Sequence, residues 1–348
     1  TKHPGGHLMN RQHVYDPANN PLLFKIYQNV DSIPLSLDAS FPDMPALSAI
    51  AAGPTPAADR QIPDVETIAR ILHLSSGITK TLQYPWGGMP FRAAACTGAL
   101  YHIELYLVCG DLPGLEAGVY HFDPSEMSLD RLRKGDFRRS LQDATGNKSE
   151  LVNGPAILVY TDVTWRNAVK YQAREYRHAY WDSGTIIANT LATAEAFGLP
   201  AKLVAGFEDE AVNRLLDLDT HREVALALVP IGHDPDANAN QAPEITPLGL
   251  EVLPVSDFEI EFPAVQEMHE ASSLTSPEEA RAWGEESLII RLPSSSGATR
   301  PIESYPDQKM PADSIETVIT RRGSTRKFSH DPITFAGLST VLEKASSE

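Results

Sequence analysis

Residues that could bind a phosphate are concentrated in one short segment near the C-terminal end of the sequence. This arginine segment (residues 321–326, RRGSTR) holds three guanidinium groups and two hydroxyls within six residues. Guanidinium groups bind phosphate oxygens in pairs, and hydroxyls donate to the oxygens that remain. A solvated basic turn is the alternative that the same spacing allows. We predict a phosphate-monoester site formed by Arg321, Arg322, Ser324 and Arg326.

A second candidate is a run of small residues that comes directly before a strand-like stretch. This small-residue segment (residues 92–101, RAAACTGALY) has little side-chain volume. A flat ligand could therefore lie close to its backbone and accept hydrogen bonds from the N–H groups. Tight packing of a helix on a sheet is the alternative use of such residues. The candidate ligand contacts are Arg92, Cys96, Thr97, Gly98 and Ala99.

Candidate proton-transfer groups lie in the Lys-Tyr segment (residues 170–177, KYQAREYR). A neighbouring cation stabilises a phenolate and burial lowers the pKa of a lysine, so Lys170 and Tyr171 are candidates for an acid/base pair. Arg174 and Arg177 are candidates for orienting an anionic group of a substrate. An exposed helix face with cation–π contacts is the alternative interpretation.

A last candidate follows a helix predicted from about 183 to 197. Gly198 and Pro200 are typical helix-stop residues, and small residues continue through the stretch AKLVAGF (201–207). Gly198 and Leu199 are therefore candidates for contacting the other face of a flat ligand. An ordinary connection between a helix and a strand would have the same composition.

Hydrophobic periodicity assigns these candidates to both helices and strands. Apolar residues recur every three or four positions from Val65 to Leu74, which predicts a helix that ends at Gly77. Residues 85–88 are predicted as a loop. Runs of β-branched and aromatic residues predict strands at 101–109, 118–123, 156–161 and 224–230. The first two strands would form a hairpin, and the lack of strict strand–helix alternation favours an α+β fold.

The balance of charged and apolar residues excludes several classes of protein. Among 348 residues, 29 are Lys or Arg and 46 are Asp or Glu, which gives a net charge of −17. This charge repels phosphate backbones and anionic lipids, so neither a nucleic acid nor a membrane is expected as a partner. No apolar run approaches the roughly 18 residues that span a bilayer, and the N-terminus has no signal-peptide pattern, so we expect a cytoplasmic protein. Cys96 and Cys109 indicate buried thiols rather than a disulfide or a metal site.

A constant spacing relates two parts of the chain. Four apolar or hydroxyl positions of the helix at 65–76 recur near the C-terminal end in the same order and at the same intervals, as Leu338, Val341, Leu342 and Ser346. A chance match between amphipathic helices is the alternative to an internal repeat. Composition and this spacing together predict an N-terminal extended arm (1–60), a first domain (61–235), a linker (236–312) and the start of a second copy (313–348).

Together these segments resemble the FMN-dependent nitroreductase superfamily, and within it the SagB-type branch, whose dehydrogenases oxidise azolines to azoles in modified peptides. The likeness is carried by the stretches CTGALYHIELYLV, GVYHFDP, KYQAREYR, AFGLPAKLVAGF and RRGSTRKFSHDPI, and by the N-terminal stretches TKHPGGHLMN and NPLLFKIY. It implies a nitroreductase-like α+β fold with a central, mostly antiparallel sheet flanked by helices. It also implies FMN as the cofactor and hydride transfer through the flavin N5. The implied substrate is a peptide azoline, a nitro compound or a quinone, and the implied partner is another modification enzyme.

The sequence departs from the family pattern at three places. The usual Pro-Ser pair of the small-residue segment is Ala95 and Cys96, and the usual His of the following helix is Thr185. In addition, the constant spacing between the two copies sets the four predicted phosphate ligands opposite Ala51, Ala52, Pro54 and Pro56. The first copy therefore lacks phosphate-binding arginines of its own.

The family's usual dimer, with FMN at the subunit interface, predicts either a homodimer or an intramolecular pseudo-dimer. In the pseudo-dimer the arginine segment would hold the phosphate, and the small-residue segment of the first copy would approach the ring. The missing arginines also keep two other functions open. One is a degenerate, non-catalytic scaffold or peptide-binding half of a tandem nitroreductase, and the other is a flavin carrier without turnover.

Overall fold

A six-stranded antiparallel sheet with helices on both faces forms the centre of the chain in the computed structural model. The structure describes residues 15–52, 55–56, 60–85, 87–237, 241–285, 297–306 and 309–346. The beginning of the predicted arm (1–14), part of the predicted linker (286–296) and Trp86 of the predicted loop lie outside the described residues.

The strands confirm the predicted fold class. Those described are β1 (Asp31–Pro34), β2 (Ile78–Tyr84), β3 (Gly87–Arg92), β4 (Ile103–Cys109), β5 (Gly118–Asp123), β6 (Ser128–Lys134), β7 (Ala156–Val163) and β8 (Glu223–Ile231). The six-stranded sheet has the order β1-β6-β5-β4-β7-β8, and every neighbouring pair is antiparallel. β4 and β5 form the hairpin expected from the sequence, while β2 and β3 form a hairpin of their own.

Helices form a layer on each side of the sheet. Those described are α1 (Ala46–Ala51), α2 (Val65–Ser76), α3 (Arg138–Ala144), α4 (Ser149–Val152), α5 (Thr164–Tyr171), α6 (Glu175–Ala196), α7 (Asp209–Leu216), α8 (Pro263–Ser272), α9 (Pro277–Glu285), α10 (Ile315–Arg321) and α11 (Phe335–Ser346). The buried residues of β4 alternate between the layers: Leu105 and Leu107 pack with α2 and α6, whereas Tyr106 and Val108 pack with α3 and α7. This alternation follows from the pleat of a strand. In the part of the chain that the structure describes, no helix is long and apolar enough to cross a bilayer.

The ends of α2 follow directly from its sequence. The Asp64 carboxylate accepts a hydrogen bond from the Thr67 N–H at 2.8 Å, which satisfies one of the free donors at the start of the helix. At the other end, the Gly77 N–H donates to the carbonyls of Leu72 and His73. The predicted helix is therefore confirmed at both ends.

Several elements differ from the sequence expectations, and β2, β3 and β6 are strands that the sequence did not predict. Gly87 and Gly88, predicted as part of a loop, begin β3, and the strands of the β2–β3 hairpin are mostly exposed and so carry no clear hydrophobic pattern. α6 begins at Glu175 instead of about 183. Its first turns bury polar residues, among them His178 and Asp182, where an apolar stripe would have marked the helix.

Parts of the predicted arm and linker are built into the fold. β1, from the arm, pairs with β6 at the edge of the sheet. α8, from the segment 236–312, packs against α6 and helps to enclose a cavity of about 210 Å³ beside β8. Contacts between the linker and the first domain therefore form part of the folded unit.

The constant spacing seen in the sequence relates whole elements. α11 and α2 have the same length. The constant spacing aligns the first residue of α2 with the first of α11, and the last residue of α2 with the last of α11. The corresponding segments before α1 and α10 pair antiparallel: the Ala46 N–H donates to the Asp313 carbonyl at 2.9 Å, and the Ile315 N–H donates to the Met44 carbonyl at 3.0 Å. Antiparallel pairing of corresponding segments is what a two-fold, isologous contact produces.

Candidate functional site

The small-residue segment leaves β3 and enters β4 with an unusual backbone. Gly98 has φ = 67°, and Ala99 and Tyr101 have φ values of 55° and 48°. Glycine adopts this left-handed region without strain, but residues with a side chain do so at a cost of about 1–3 kcal/mol. The surrounding structure must therefore hold the segment in this form.

The carboxylate of Asp182, on α6, accepts hydrogen bonds from two neighbouring residues of the segment. Its Oδ2 accepts from the Thr97 N–H at 2.8 Å and from the Cys96 thiol at 3.2 Å. Its Oδ1 accepts from the Thr97 hydroxyl at 2.9 Å. Both hydrogen-bond donors of Thr97 are thus engaged by one buried side chain.

His102 lies behind Asp182 and connects it to the sheet. Its Nε2 is 2.8 Å from Asp182 Oδ2, and its Nδ1 is 2.5 Å from Asp162 Oδ1 at the end of β7. Burial alone would lower the pKa of His102, but the charge of Asp162 and hydrogen bonds with Asp162, Asp182 and Cys96 raise it well above the usual value. A protonated ring can donate to both carboxylates, whereas a neutral ring has only one N–H.

Glu175 completes this buried group at the first turn of α6. Its Oε1 lies 3.9 Å from His102 Nδ1, and its side chain is fully buried. Burial and the nearby charge of Asp162 raise the pKa of Glu175 well above its usual value. The ligand atoms of Cys96, His102 and Asp182 lie within 4.8 Å of one another, as a metal site would require, but hydrogen bonds already engage them.

The structure brings the Lys-Tyr segment to the small-residue segment. A Cβ added at Gly98 would lie 3.0 Å from the Tyr171 hydroxyl and 3.3 Å from Tyr171 Cε2. The Lys170 ammonium lies 5.4 Å from the centre of the Tyr171 ring. Gly98 is exposed, so these groups together border a surface that solvent reaches.

A row of rings continues this surface along α6. The ring of His178 meets Tyr171 edge to face with the centroids 4.7 Å apart, and Trp181 lies 5.6 Å further on. Arg177 lies over Trp181, at 5.8 Å from its centroid, and Arg174 is exposed. Trp181 is 56% exposed, which leaves a large aromatic face open beside the predicted catalytic residues.

Arg322 is the member of the arginine segment that reaches the small-residue segment. Its Nε donates to the Ala93 carbonyl at 3.0 Å, and its Nη2 donates to the Arg92 carbonyl at 3.3 Å. Arg321 instead forms an ion pair with Asp313 at 3.1 Å. Ser324 and Arg326 are exposed.

The remaining predicted ligand contacts lie apart from this surface. Arg92 is buried, with its guanidinium 5.3 Å from the ring centres of both Phe24 and Tyr101 and donating to the Leu23 carbonyl. Gly198 has φ = 65° just after α6, and Leu199 is buried. At about 1.5 Å per residue, Gly198 is roughly 24 Å along the helix from Asp182.

The positions that depart from the family pattern are in contact. The Thr185 hydroxyl donates to the Ala95 carbonyl at 2.7 Å, so it ties α6 to the small-residue segment. Sequence reasoning singled out Thr185, but it missed His102, Asp162 and Glu175. For His102 and Asp162, the sequence did offer a signal, because each is a polar residue at the end of a strongly apolar strand.

Comparison with known proteins supplies the context for this geometry. The model of the Nitroreductase family matches residues 58–233, just over half of the chain. A Methanocaldococcus jannaschii protein named as a nitroreductase is 26% identical over 142 residues, which cover 41% of this chain and 70% of that protein. The Microcin B17-processing protein McbC of Escherichia coli is 28% identical over 176 residues, which cover 49% of this chain and 62% of McbC.

A solved structure has the same fold. The crystal structure of an Anabaena variabilis protein named as a nitroreductase superposes with a TM-score of 0.65 and 23% identity. The match covers 95% of this chain and 63% of that one. The chain thus spans less than two thirds of the length of both McbC and the Anabaena protein.

Proposed function

We propose FMN as the cofactor of this chain, which belongs to the nitroreductase family of oxidoreductases. Its similarity to McbC also supports the SagB-type branch to which the sequence segments pointed. Bound FMN would supply hydride transfer at its N5 atom, while the protein supplies position and electrostatics. The residues of this chain then decide where the ring lies and where protons go.

The contact between Gly98 and Tyr171 is the observation that carries the proposal. Gly98 has no side chain and belongs to the segment predicted to meet a flat ligand. It lies against the phenol of Tyr171, which belongs to the segment predicted to move protons. The residues fit the isoalloxazine ring of FMN, because the exposed Gly98 and the small Ala99 allow close approach from one side. Cys96 and Thr97 would border the ring, held in place by Asp182.

We assign the FMN phosphate to the arginine segment. The contacts of Arg322 with the Arg92 and Ala93 carbonyls support this assignment, because they bring the segment against the predicted ring site. Arg321, Ser324 and Arg326 are exposed, so their side chains are accessible to an anion. The phosphate and the ring would then contact segments that are far apart in the sequence.

The antiparallel pairing of the segments before α1 and α10 supports an intramolecular pseudo-dimer. In that arrangement the start of the second copy would supply the phosphate site and the first copy the ring site. A homodimer remains the alternative assembly for the same FMN site. Gel filtration with light scattering separates the two, since the pseudo-dimer predicts a monomeric mass of 38.0 kDa.

For the reaction, we propose oxidation of an azoline to an azole in a peptide, with reduction of a nitro compound or a quinone as the alternative. Azoline oxidation removes a hydride and a proton from the ring. The hydride would go to the cofactor, and the pair formed by Lys170 and Tyr171 would take the proton. Arg174 and Arg177 would orient an anionic group of the substrate, and a partner modification enzyme would supply the azoline.

Flavin binding tests the proposal. Titration with FMN, followed by absorbance and by quenching of flavin fluorescence, is expected to show a saturable complex with the wild-type chain. Arg322→Ala should weaken binding at least tenfold, because it removes a positive charge from the proposed phosphate site and the hydrogen bonds that hold the arginine segment against the Arg92 and Ala93 carbonyls. Lys327→Ala removes the same charge from a nearby exposed position and is expected to bind FMN nearly as well as the wild type.

Turnover tests the catalytic part separately. With FMN bound, Lys170→Ala and Tyr171→Phe should lower the rate of azoline oxidation without loss of flavin. A wild-type chain that binds no FMN, yet binds the peptide, would instead favour the scaffold function. A chain that oxidises no azoline, and whose bound FMN is not reduced by NADH or NADPH, would favour the function of a flavin carrier.

A further inference from the structure

We propose that His102 is a positioning residue that holds the small-residue segment in its left-handed form through Asp182. The inference rests on the proposed function in one respect: the purpose of holding the segment would be to keep the backbone that faces the flavin preformed. The geometry itself is independent of any cofactor. It involves a chain of three side chains that runs from the sheet to the segment, Asp162, His102 and Asp182.

The segment needs such a support because its backbone is strained at two nearby residues. Ala99 and Tyr101 both have a side chain and a positive φ. The local hydrogen bonds that the segment makes to itself include the Ala99 N–H to the Cys96 carbonyl at 3.1 Å and the Tyr101 N–H to Cys96 Sγ at 3.1 Å. Both of these bonds involve Cys96, which is itself bound by Asp182.

Asp182 acts on the segment at one point. Four donors meet its two oxygens: the N–H and hydroxyl of Thr97, the thiol of Cys96 and the Nε2 of His102. Three of the four belong to the segment. Rotation of this carboxylate would therefore release Cys96 and Thr97 together.

His102 fixes the rotation of Asp182. Its ring is fully buried between Asp162, on β7, and Asp182, on α6, so it joins two elements that do not move relative to each other without unpacking the core. The titratable groups that face it are Asp162, Asp182, Glu175 and Cys96. The cationic ring thus orients the carboxylate that the segment depends on.

The reactivity of Cys96 measures the conformation of the segment without any flavin. The chain has two cysteines, and Cys109 is fully buried while Cys96 is half-buried. Reaction of the native protein with 5,5′-dithiobis(2-nitrobenzoic acid) should therefore report Cys96 alone, and Cys96→Ser should abolish it. Release of the segment would expose the thiol and increase the rate.

His102→Leu separates a positioning role from a purely electrostatic one. If the segment stayed in place, loss of the His102 ring would leave the thiol half-buried and would not accelerate its reaction. Loss of position is expected to accelerate it at least fivefold. His102→Gln, whose amide can still donate to Asp182, should return the rate most of the way to that of the wild type.

Two further variants keep the result interpretable. Asp182→Glu retains the charge but displaces the carboxylate, so it should also accelerate the reaction, and it provides the test if His102→Leu does not fold. Glu223→Gln alters a different buried carboxylate, bonded to Tyr106 and Thr161, and should leave the thiol rate unchanged. Folding of each variant is checked by circular dichroism.

The outcomes distinguish this proposal from the proposed function. Faster thiol reaction in His102→Leu and Asp182→Glu, with weaker FMN binding, supports both. Faster reaction in these variants, together with a wild-type chain that binds no FMN, supports the positioning role and refutes the cofactor assignment. An unchanged or slower reaction in folded His102→Leu or Asp182→Glu would overturn the positioning role, whatever the flavin result.

Discussion

Replacement of Gly98 by alanine tests the contact between the small-residue segment and Tyr171. An alanine there would adopt φ = 67°, and its Cβ would lie 3.0 Å from the Tyr171 hydroxyl. The backbone conformation alone costs about 1 kcal/mol, and the close contact requires Tyr171 to shift by a few tenths of an ångström. We expect a total loss of about 2 kcal/mol, which corresponds to roughly 4–8 °C in Tm for a domain of about 150–250 residues.

Gly198→Ala is the matched control, because its backbone is nearly the same and its surroundings differ. Gly198 has φ = 65°, but nothing lies within 4 Å of an added Cβ. Its loss should therefore be limited to the backbone cost of about 1 kcal/mol. The difference between the two variants isolates the contact with Tyr171.

Calorimetry of both variants, and of Gly98→Ala combined with Tyr171→Phe, provides the measurement. Removal of the hydroxyl should recover part of the loss in the double variant, since Tyr171 Cε2 would still lie 3.3 Å from the Cβ. FMN titration should show weaker binding by Gly98→Ala. Equal losses of Tm in Gly98→Ala and Gly198→Ala would refute the contact on which the site is built.

Three further results are expected from the same geometry. The pKa of His102 is raised in the folded protein, so its contribution to stability is complete below the pKa of the unfolded chain, near 6.5, and is lost as pH rises through the pKa of the folded protein. Urea unfolding from pH 5 to 9 should therefore show a steeper loss of stability in the wild type than in His102→Gln. Thr185→Val removes the hydroxyl that donates to the Ala95 carbonyl and should cost about 1 kcal/mol in urea unfolding, whereas Thr185→Ser, which keeps the hydroxyl, should not. Burial raises the pKa of Asp209 to about 6, so its charged form destabilises the fold as pH rises from 4 to 6. Asp209→Asn should therefore add about 1 kcal/mol to the free energy of unfolding at pH 7 and nothing at pH 4. An equal gain at both pH values would contradict this.

Much of the fold could be predicted from local sequence. α2 has an N-terminal carboxylate, an apolar stripe and a terminal glycine, and each of these acts within a few residues. The β4–β5 hairpin likewise follows from two apolar runs with a turn between them. The start of α6 could not be predicted in this way, because Glu175, His178 and Asp182 are buried by tertiary contacts that have no local pattern.

The residues of the candidate site could likewise be predicted from the sequence, whereas their contacts could not. The residue types of the small-residue, Lys-Tyr and arginine segments were enough to single them out, because small, basic and phenolic side chains carry their chemistry with them. Gly98 meets Tyr171, and Arg322 meets the Ala93 carbonyl, only because distant parts of the chain fold back onto the small-residue segment.

The sequence by itself determined the chemistry that is available: the guanidinium groups, the phenol and the backbone without side-chain bulk. The tertiary structure decided which of these groups lie together and which carboxylate holds them. His102 shows the physical reason, since its partners Asp162 and Asp182 are 60 and 80 residues away. The buried charges of this group are stabilised by these distant partners, and the spacing of residues along a chain does not reveal them.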